Sequence, residues 1–382
     1  MTTTTTGGGL ARVKDVSLGR SLLYLVAGCG TIAAFARFAF GLGATTNLND
    51  GYPWGLWITF DVLAGVALAA GGFTLSAIIY VFNLKQFEPL LRPAKLSAFV
   101  GYVLAVLGIL FDLGFPWRIW HPLFMWNTSS VLFEVSWCVM VYTAVLGVDM
   151  LILVLEKLGR TRWVGLLRSV YVVAVVLGLV LSALHQSSLG ALFLVVPQKM
   201  SDLWATRALG PLFYASAVVC GLSVVILESL LSARAYGREA ELELLAPLAK
   251  ALAGALLVYF AMKVTDLFAR DVSIWRLDRV HLFFHLELFG TVALPAALLG
   301  FFPGLRRSPG ALLGCAALAA FGVVLNRFNV VLTAYAGYRD FTYFPSLAEV
   351  AVTVGLFTLG VLVFDAGARW LPVYGAAPKT EA

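Results

Sequence analysis

The chain reads as an all-α, polytopic membrane protein of about ten transmembrane helices. Three observations predict this fold class. Sixty per cent of the 382 residues are hydrophobic and only 13% are charged. Mean hydropathy is +0.90, and the apolar residues gather into runs of about twenty, the length that crosses a bilayer. A soluble chain of this size would have nowhere to put so much apolar surface. The net charge of +6 reports topology rather than nucleic-acid binding, because membrane proteins concentrate Lys and Arg in cytoplasmic loops.

Taken in order, residues 1–17 (opening MTTTTTGGGL) lack an apolar core and a cleavage pattern, so they read as a disordered cytoplasmic tail rather than a signal peptide. The runs that qualify as spans are 21–41, 56–82, 95–115, 131–155, 164–184, 211–233, 248–268, 282–302, 309–326 and 347–368. The piece from Leu189 to Val196 is too short to cross and reads as re-entrant or interfacial. A single membrane domain therefore covers 18–370, and 371–382 forms a second cytoplasmic tail. Gly65, Gly71 and Gly72 permit close helix packing. Cys29, Cys138, Cys220 and Cys315 stand singly in apolar runs without any CxxC or CxxCH, so they read as buried packing residues.

Lys85 and Arg92, Lys157 to Arg162, Arg234 and Arg238, and Arg306 and Arg307 mark alternate loops. By the positive-inside rule both termini lie in the cytoplasm, and an even number of spans agrees. The opposite loops, NLNDGYPWGLW, FPWRIWHPLFMWN and NRFNVVLTAYAGYRDFTYFP among them, are long and rich in aromatic residues. They suit either an interfacial aromatic belt or a docking surface for a periplasmic partner.

Ionisable residues inside spans are expensive and so mark candidate function. On the outer side, Asp61 lies about 8–10 Å into the second span and Glu134 about 5 Å into the fourth. His185 ends the fifth span, followed by Gln186, Ser187 and Ser188, while Arg37 and Arg327 stand at the outer ends of the first and ninth. So many polar groups at one depth point to a pocket. On the inner side, Glu228 is about 8 Å and Tyr102 about 10 Å from the cytoplasmic boundary. Glu228 has no cation one helical turn away and is a candidate proton carrier, the alternative being a merely hydrated carboxyl. Lys263 and Asp266, three residues apart, read as a local ion pair. His281 and His285 share a helix face and read as packing or interfacial residues. With no two histidines placed as axial ligands on facing helices, no haem is expected.

The segments NLNDGYPWGLWITFDVLAGVALAAGGF, YVFNLKQFEPLLRPAKLSAFVGY, SSVLFE, HQSSLG and FTYFP resemble the membrane subunit of Hyb-type (HybB-like) nickel–iron hydrogenases, within the wider NrfD/polysulfide-reductase integral membrane family. The resemblance runs from about Arg37 to the last span. It implies two four-helix bundles with flanking helices in the bacterial inner membrane, reactive towards quinone (menaquinone or ubiquinone) and without a redox centre of their own. It also implies a ferredoxin-like periplasmic iron–sulfur subunit on the outer loops, fed by hydrogenase small and large subunits. Positions tied to proton transfer in the family match Tyr102, Glu134, His185 and Glu228, and Arg327 fits the pattern as well. Asn329, His285 and the 116–127 loop depart from it.

Quinone chemistry needs two electrons from a partner and two protons from groups near the ring. Histidine suits the proton role because its ordinary pKa lies near 6.5. The sequence thus predicts a quinone pocket near the periplasmic face among the second, fourth, fifth and ninth spans, using Asp61, His185, Gln186, Arg327 and Asn329, with Tyr102 and Glu228 extending a proton path to the cytoplasm. The resemblance leaves open an equivalent subunit of another periplasmic oxidoreductase, of polysulfide or molybdopterin type, and a secondary transporter and a passive structural anchor are the rival classes.

Overall fold

A computed structural model describes residues 18–49, 52, 54–169, 171–337 and 343–374. The expected amino-terminal tail, and residues 375–382 of the expected carboxy-terminal one, lie outside these. Among the described residues ten helices are long and apolar enough to cross a membrane. They are α1 (Gly19–Phe40), α2 (Trp57–Val81), α3 (Lys85–Asp112), α4 (Val131–Lys157), α5 (Val173–Val195), α6 (Leu209–Tyr236), α7 (Leu242–Ala269), α8 (Arg279–Phe301), α9 (Pro309–Tyr335) and α10 (Leu347–Trp370). The all-α, multi-pass architecture expected from hydropathy is what the chain adopts. The short piece after Leu189 is not a separate re-entrant element: the helix continues to Ala191, a tighter turn follows over Leu192–Val195, and Phe193 is fully buried.

Successive spans run antiparallel. The connections after α1, α3, α5, α7 and α9 lie at one face, the long-loop face, and those after α2, α4, α6 and α8 lie at the other, the short-loop face, where only the α4–α5 connection, which carries a helix over Thr161–Ser169, is also long. α2 to α5 pack as one four-helix bundle and α6 to α9 as a second, joined where α6 packs on α2 and α5 and where α9 meets α2. α10 packs on α3 and α2, and α1 packs on α10. At the short-loop face Arg20 pairs with Asp365 at 3.2 Å, tying the start of α1 to the end of α10. At the long-loop face Ser346 and Glu349 cap α10 reciprocally, and Glu349 also accepts from the Asn47 amide at 3.0 Å. The Tyr343 hydroxyl donates to the same carboxylate. Burial and that carboxylate hold the Tyr343 phenol above its usual range, so it remains a donor.

Large apolar side chains such as Ile32, Phe35, Val173 and Leu347 point outward, as acyl chains require. Because lipid is as apolar as leucine, helix association here rests on close van der Waals fit. Two crossings show it. A Cβ added to Gly30 would lie 2.5 Å from the Cα of Gly355, and one on Gly221 would lie 2.8 Å from the Ala70 carbonyl oxygen. The cysteines divide: Cys138, Cys220 and Cys315 are buried, whereas Cys29 is exposed on α1. The expectation of four buried thiols fails at Cys29 because hydropathy does not tell which side of a span faces lipid.

Candidate functional site

Asp61 lies on a stretch of wide, π-type turns, Trp57–Ala64. Such turns re-aim side chains and recur at functional positions. Its carboxylate accepts a hydrogen bond from Thr353 Oγ1 of α10 at 2.7 Å. Gly108 of α3 makes room for it, since a Cβ there would come within 2.7 Å of the Asp61 Cβ. Asp61 lines a cleft of about 570 Å³ walled by α1, α2, α3, α6 and α10. Leu68, Leu104, Leu227 and Phe357 make its walls apolar, and Glu228 of α6 lines it nearer the short-loop face. Glu228 also lines a charged vestibule of about 590 Å³ with Lys85, Arg92 and Arg238. Its Oε1 accepts from the Tyr374 hydroxyl at 2.6 Å.

A second polar constellation lies inside the first bundle. Tyr102 is fully buried, with its hydroxyl oxygen 2.5 Å from Nε2 of His185. Nδ1 of that ring lies 2.7 Å from the Leu181 carbonyl oxygen. A carbonyl only accepts, so Nδ1 carries the hydrogen and Nε2 of the neutral ring accepts from Tyr102. His185 does not end the fifth span as expected; the helix continues to Ala191. The polar residues after His185 are accommodated because they find partners inside the bundle: Gln186 Nε2 donates to the Val66 carbonyl at 3.1 Å, and Ser188 Oγ donates to Glu134 Oε1 at 2.7 Å. Tyr142 packs edge-on against Tyr102 with centroids 4.6 Å apart. Further down α4, buried Asp149 pairs with buried Lys95 of α3 at 2.9 Å. Glu134, Tyr142 and Asp149 thus place a polar column along α4. Helix α3 separates this column from the cleft: Val100, Gly101 and Leu104 face the cleft, while Lys95 and Tyr102 bond to α4 and α5.

A third group occupies the second bundle. Glu287, on another stretch of wide turns, Leu286–Ala293, accepts from Asn326 Nδ2 at 2.8 Å, Asn329 Nδ2 at 2.7 Å and Trp204 Nε1 at 3.2 Å. Lys263 also donates to it. The expected Lys263–Asp266 pair is therefore absent. Lys263 is buried and reaches across to α8, while Asp266, a turn nearer the long-loop face, pairs with Arg270 at 2.7 Å. Arg327 donates to Asn326 Oδ1 at 2.6 Å and Ser216 Oγ at 2.9 Å, and its guanidinium lies 3.7 Å from the centre of the Phe213 ring. Arg37, at the end of α1, donates to the Phe111 carbonyl at 2.7 Å and so caps α3.

The residues singled out from sequence thus fall into three compartments rather than one pocket. Asp61 and Glu228 share the cleft; Tyr102, Glu134, His185 and Gln186 belong to the polar column; Arg327 and Asn329 belong to the Glu287 network. Sequence reasoning did not reach the Lys95–Asp149 pair, Thr353 or Tyr374. The first was signalled by two charges in spans, whereas the two hydroxyl partners carry no signal of their own.

The family described as polysulphide reductase, NrfD, matches residues 44–338. A Nitratidesulfovibrio vulgaris protein whose name states no function is 37% identical over 356 residues, covering 90% of this chain and 91% of its own length. The probable Ni/Fe-hydrogenase 2 b-type cytochrome subunit of Escherichia coli is 32% identical over 351 residues, 88% of this chain and 87% of that one. The menaquinone reductase integral membrane subunit of N. vulgaris is 29% identical over 387 residues, 93% and 91% of the two chains. The name of the E. coli relative overturns the expectation that haem has no place in such a chain, because a b-type cytochrome is a haem protein. What the histidines here offer such a group is limited. Both ring nitrogens of His185 are engaged, His281 Nδ1 is paired with Asp278 at 2.8 Å, and His285 stacks on Phe289. His185, with both ring nitrogens engaged inside the first bundle, does not fit a haem ligand as it stands. With the family match over most of its ten-span body, the chain belongs to the polysulphide reductase NrfD family of integral membrane proteins.

Proposed function

We propose that this chain is the quinone-reactive membrane subunit of a respiratory oxidoreductase, with a nickel–iron hydrogenase as its electron donor. The observation that carries this reading is the intramembrane cleft, apolar along its walls and holding a carboxyl group at each of two depths, Asp61 and Glu228. A quinone is a polar ring on a long apolar tail, and a cleft of this character takes both parts. The names of two relatives support the reading, one a hydrogenase subunit and one a menaquinone reductase subunit.

In this reading the chain sits in the bacterial cytoplasmic membrane with both termini inside. An iron–sulfur partner docks on the long-loop face, itself served by hydrogenase small and large subunits. Electrons enter the quinone from that side. Asp61, held by Thr353, exchanges a proton with the ring. Tyr102 and His185 form a hydrogen-bonded pair behind α3, Glu134 stands on the same side bonded to Ser188, and Glu228 exchanges protons with the short-loop face. Reduction takes up two electrons and two protons and returns quinol to the bilayer; oxidation reverses each transfer.

Photolabelling of the purified complex with an azidoquinone tests the assignment. Label should fall on α2 around Phe60 to Ala69 and on α10 around Phe357 to Phe364. Label confined to α9 around Arg327 would move the site to the second bundle and refute the cleft.

A further inference from the structure

After α10 the chain turns back under the bundle instead of leaving it. Arg92 Nη1 donates to the Pro372 carbonyl at 2.9 Å, and Val373 is buried against Leu96, Val100, Met150 and Leu153. These contacts deliver Tyr374 to Glu228, where its hydroxyl donates to Oε1 at 2.6 Å. The Arg238 guanidinium lies 3.7 Å from the centre of the Tyr374 ring, so the ring is clamped from the side away from the cleft. Tyr374 lines the charged vestibule but not the cleft, whereas Glu228 lines both.

Glu228 therefore stands where vestibule and cleft meet, and Tyr374 holds its carboxyl from the vestibule side. Burial and the neighbouring carboxylate keep the Tyr374 phenol above its ordinary range, so it is a standing hydrogen-bond donor. Its bond is strong while Glu228 is ionised and weak once the acid is neutral, since hydrogen bonds to charged acceptors are roughly twice as strong as neutral ones.

We infer that Tyr374 is a positioning residue for proton entry: it holds the ionised Glu228 carboxyl towards the vestibule, and protonation loosens that hold so that the neutral acid can turn to the cleft. The proton arrives from vestibule water, is carried on Glu228, and leaves towards the quinone, after which the carboxylate returns to Tyr374. No electron moves in this step. The inference rests on the quinone-reactive reading above.

The test is a mutant cycle in the purified complex, comparing donor-to-quinone turnover with donor-to-dye turnover, which bypasses the membrane subunit. Tyr374→Phe keeps the ring under Arg238 and removes only the hydroxyl. It should lower the quinone-linked kcat about tenfold, the weight of one hydrogen bond to a charged group, with quinone KM and dye turnover unchanged. In a Glu228→Gln background the same substitution should have no further effect. An equal loss in both backgrounds would show that Tyr374 acts independently of Glu228 and overturn the inference, as would unchanged turnover in Tyr374→Phe alone. Tyr374→Trp, which retains an N–H donor, should recover part of the loss; recovery no better than Phe would also count against it. If Glu228→Gln alone leaves quinone turnover intact, the proton role proposed for Glu228 itself fails, a separate result from failure of the Tyr374 coupling.

Discussion

The hydroxyl oxygen of Tyr102 lies 2.5 Å from Nε2 of His185, joining the interiors of α3 and α5. With Nδ1 held by the Leu181 carbonyl, a proton that reaches Nε2 must be exchanged through Tyr102 or a displaced neighbour. Tyr102→Phe keeps the edge-on contact with Tyr142 but removes this exchange. If this pair supplies protons to the cleft from behind α3, quinone-linked turnover should fall about tenfold, the weight of one strong hydrogen bond rather than of a group touching the ring. Dye-linked turnover should stay the same, as measured on the intact complex. Parallel loss of both activities would mean that the hydroxyl matters only to folding.

Asp61→Asn preserves an oxygen for Thr353 and changes little in shape. If Asp61 exchanges protons with the ring, kcat for quinone should drop about 100-fold while KM moves little. Steady-state kinetics with a soluble short-chain quinone separates the two constants. A change in KM alone would make Asp61 a binding group.

Lys95 and Asp149 are both buried and 2.9 Å apart. Removing one partner leaves an uncompensated charge within the bundle. Lys95→Met should therefore destabilise the protein by about 3–5 kcal/mol. Adding Asp149→Leu should restore most of that, because the second charge is then gone. Thermal unfolding of the detergent-solubilised protein measures both variants, and a double variant no better than the single would contradict the argument.

Gly221 crosses α2 so closely that a side chain would strike the backbone of Ala70. Gly221→Leu should prevent the two bundles from joining, seen as loss of the folded protein from the membrane fraction. Gly254 of α7 has open space around it, and Gly254→Leu should accumulate normally.

The number and order of spans were legible because about twenty apolar residues in succession have one stable home. Which faces meet was not. The hydropathy of α5 falls at His185, so its end appeared to lie there, yet Gln186 Nε2 and Ser188 Oγ donate to Val66 and Glu134 on neighbouring helices. Lys263 had a plausible partner one turn away in Asp266 but bonds to Glu287, 24 positions along the chain, because those two helices face each other across the bundle core. The family resemblance gathered Tyr102, Glu134, His185 and Glu228 into one set, but it did not reveal that α3 stands between two of the compartments. The cleft itself is a gap between five helices, and no local pattern encodes it.

The first and last spans touch at Gly30 and Gly355, and both contribute walls to the cleft. A ribosome must therefore release α10 before the cavity is complete. Polypeptides ending early from a stop codon or stalled synthesis would carry most of the polar column but lack a finished cleft. The pairing of the two ends is thus the last step in building the cavity.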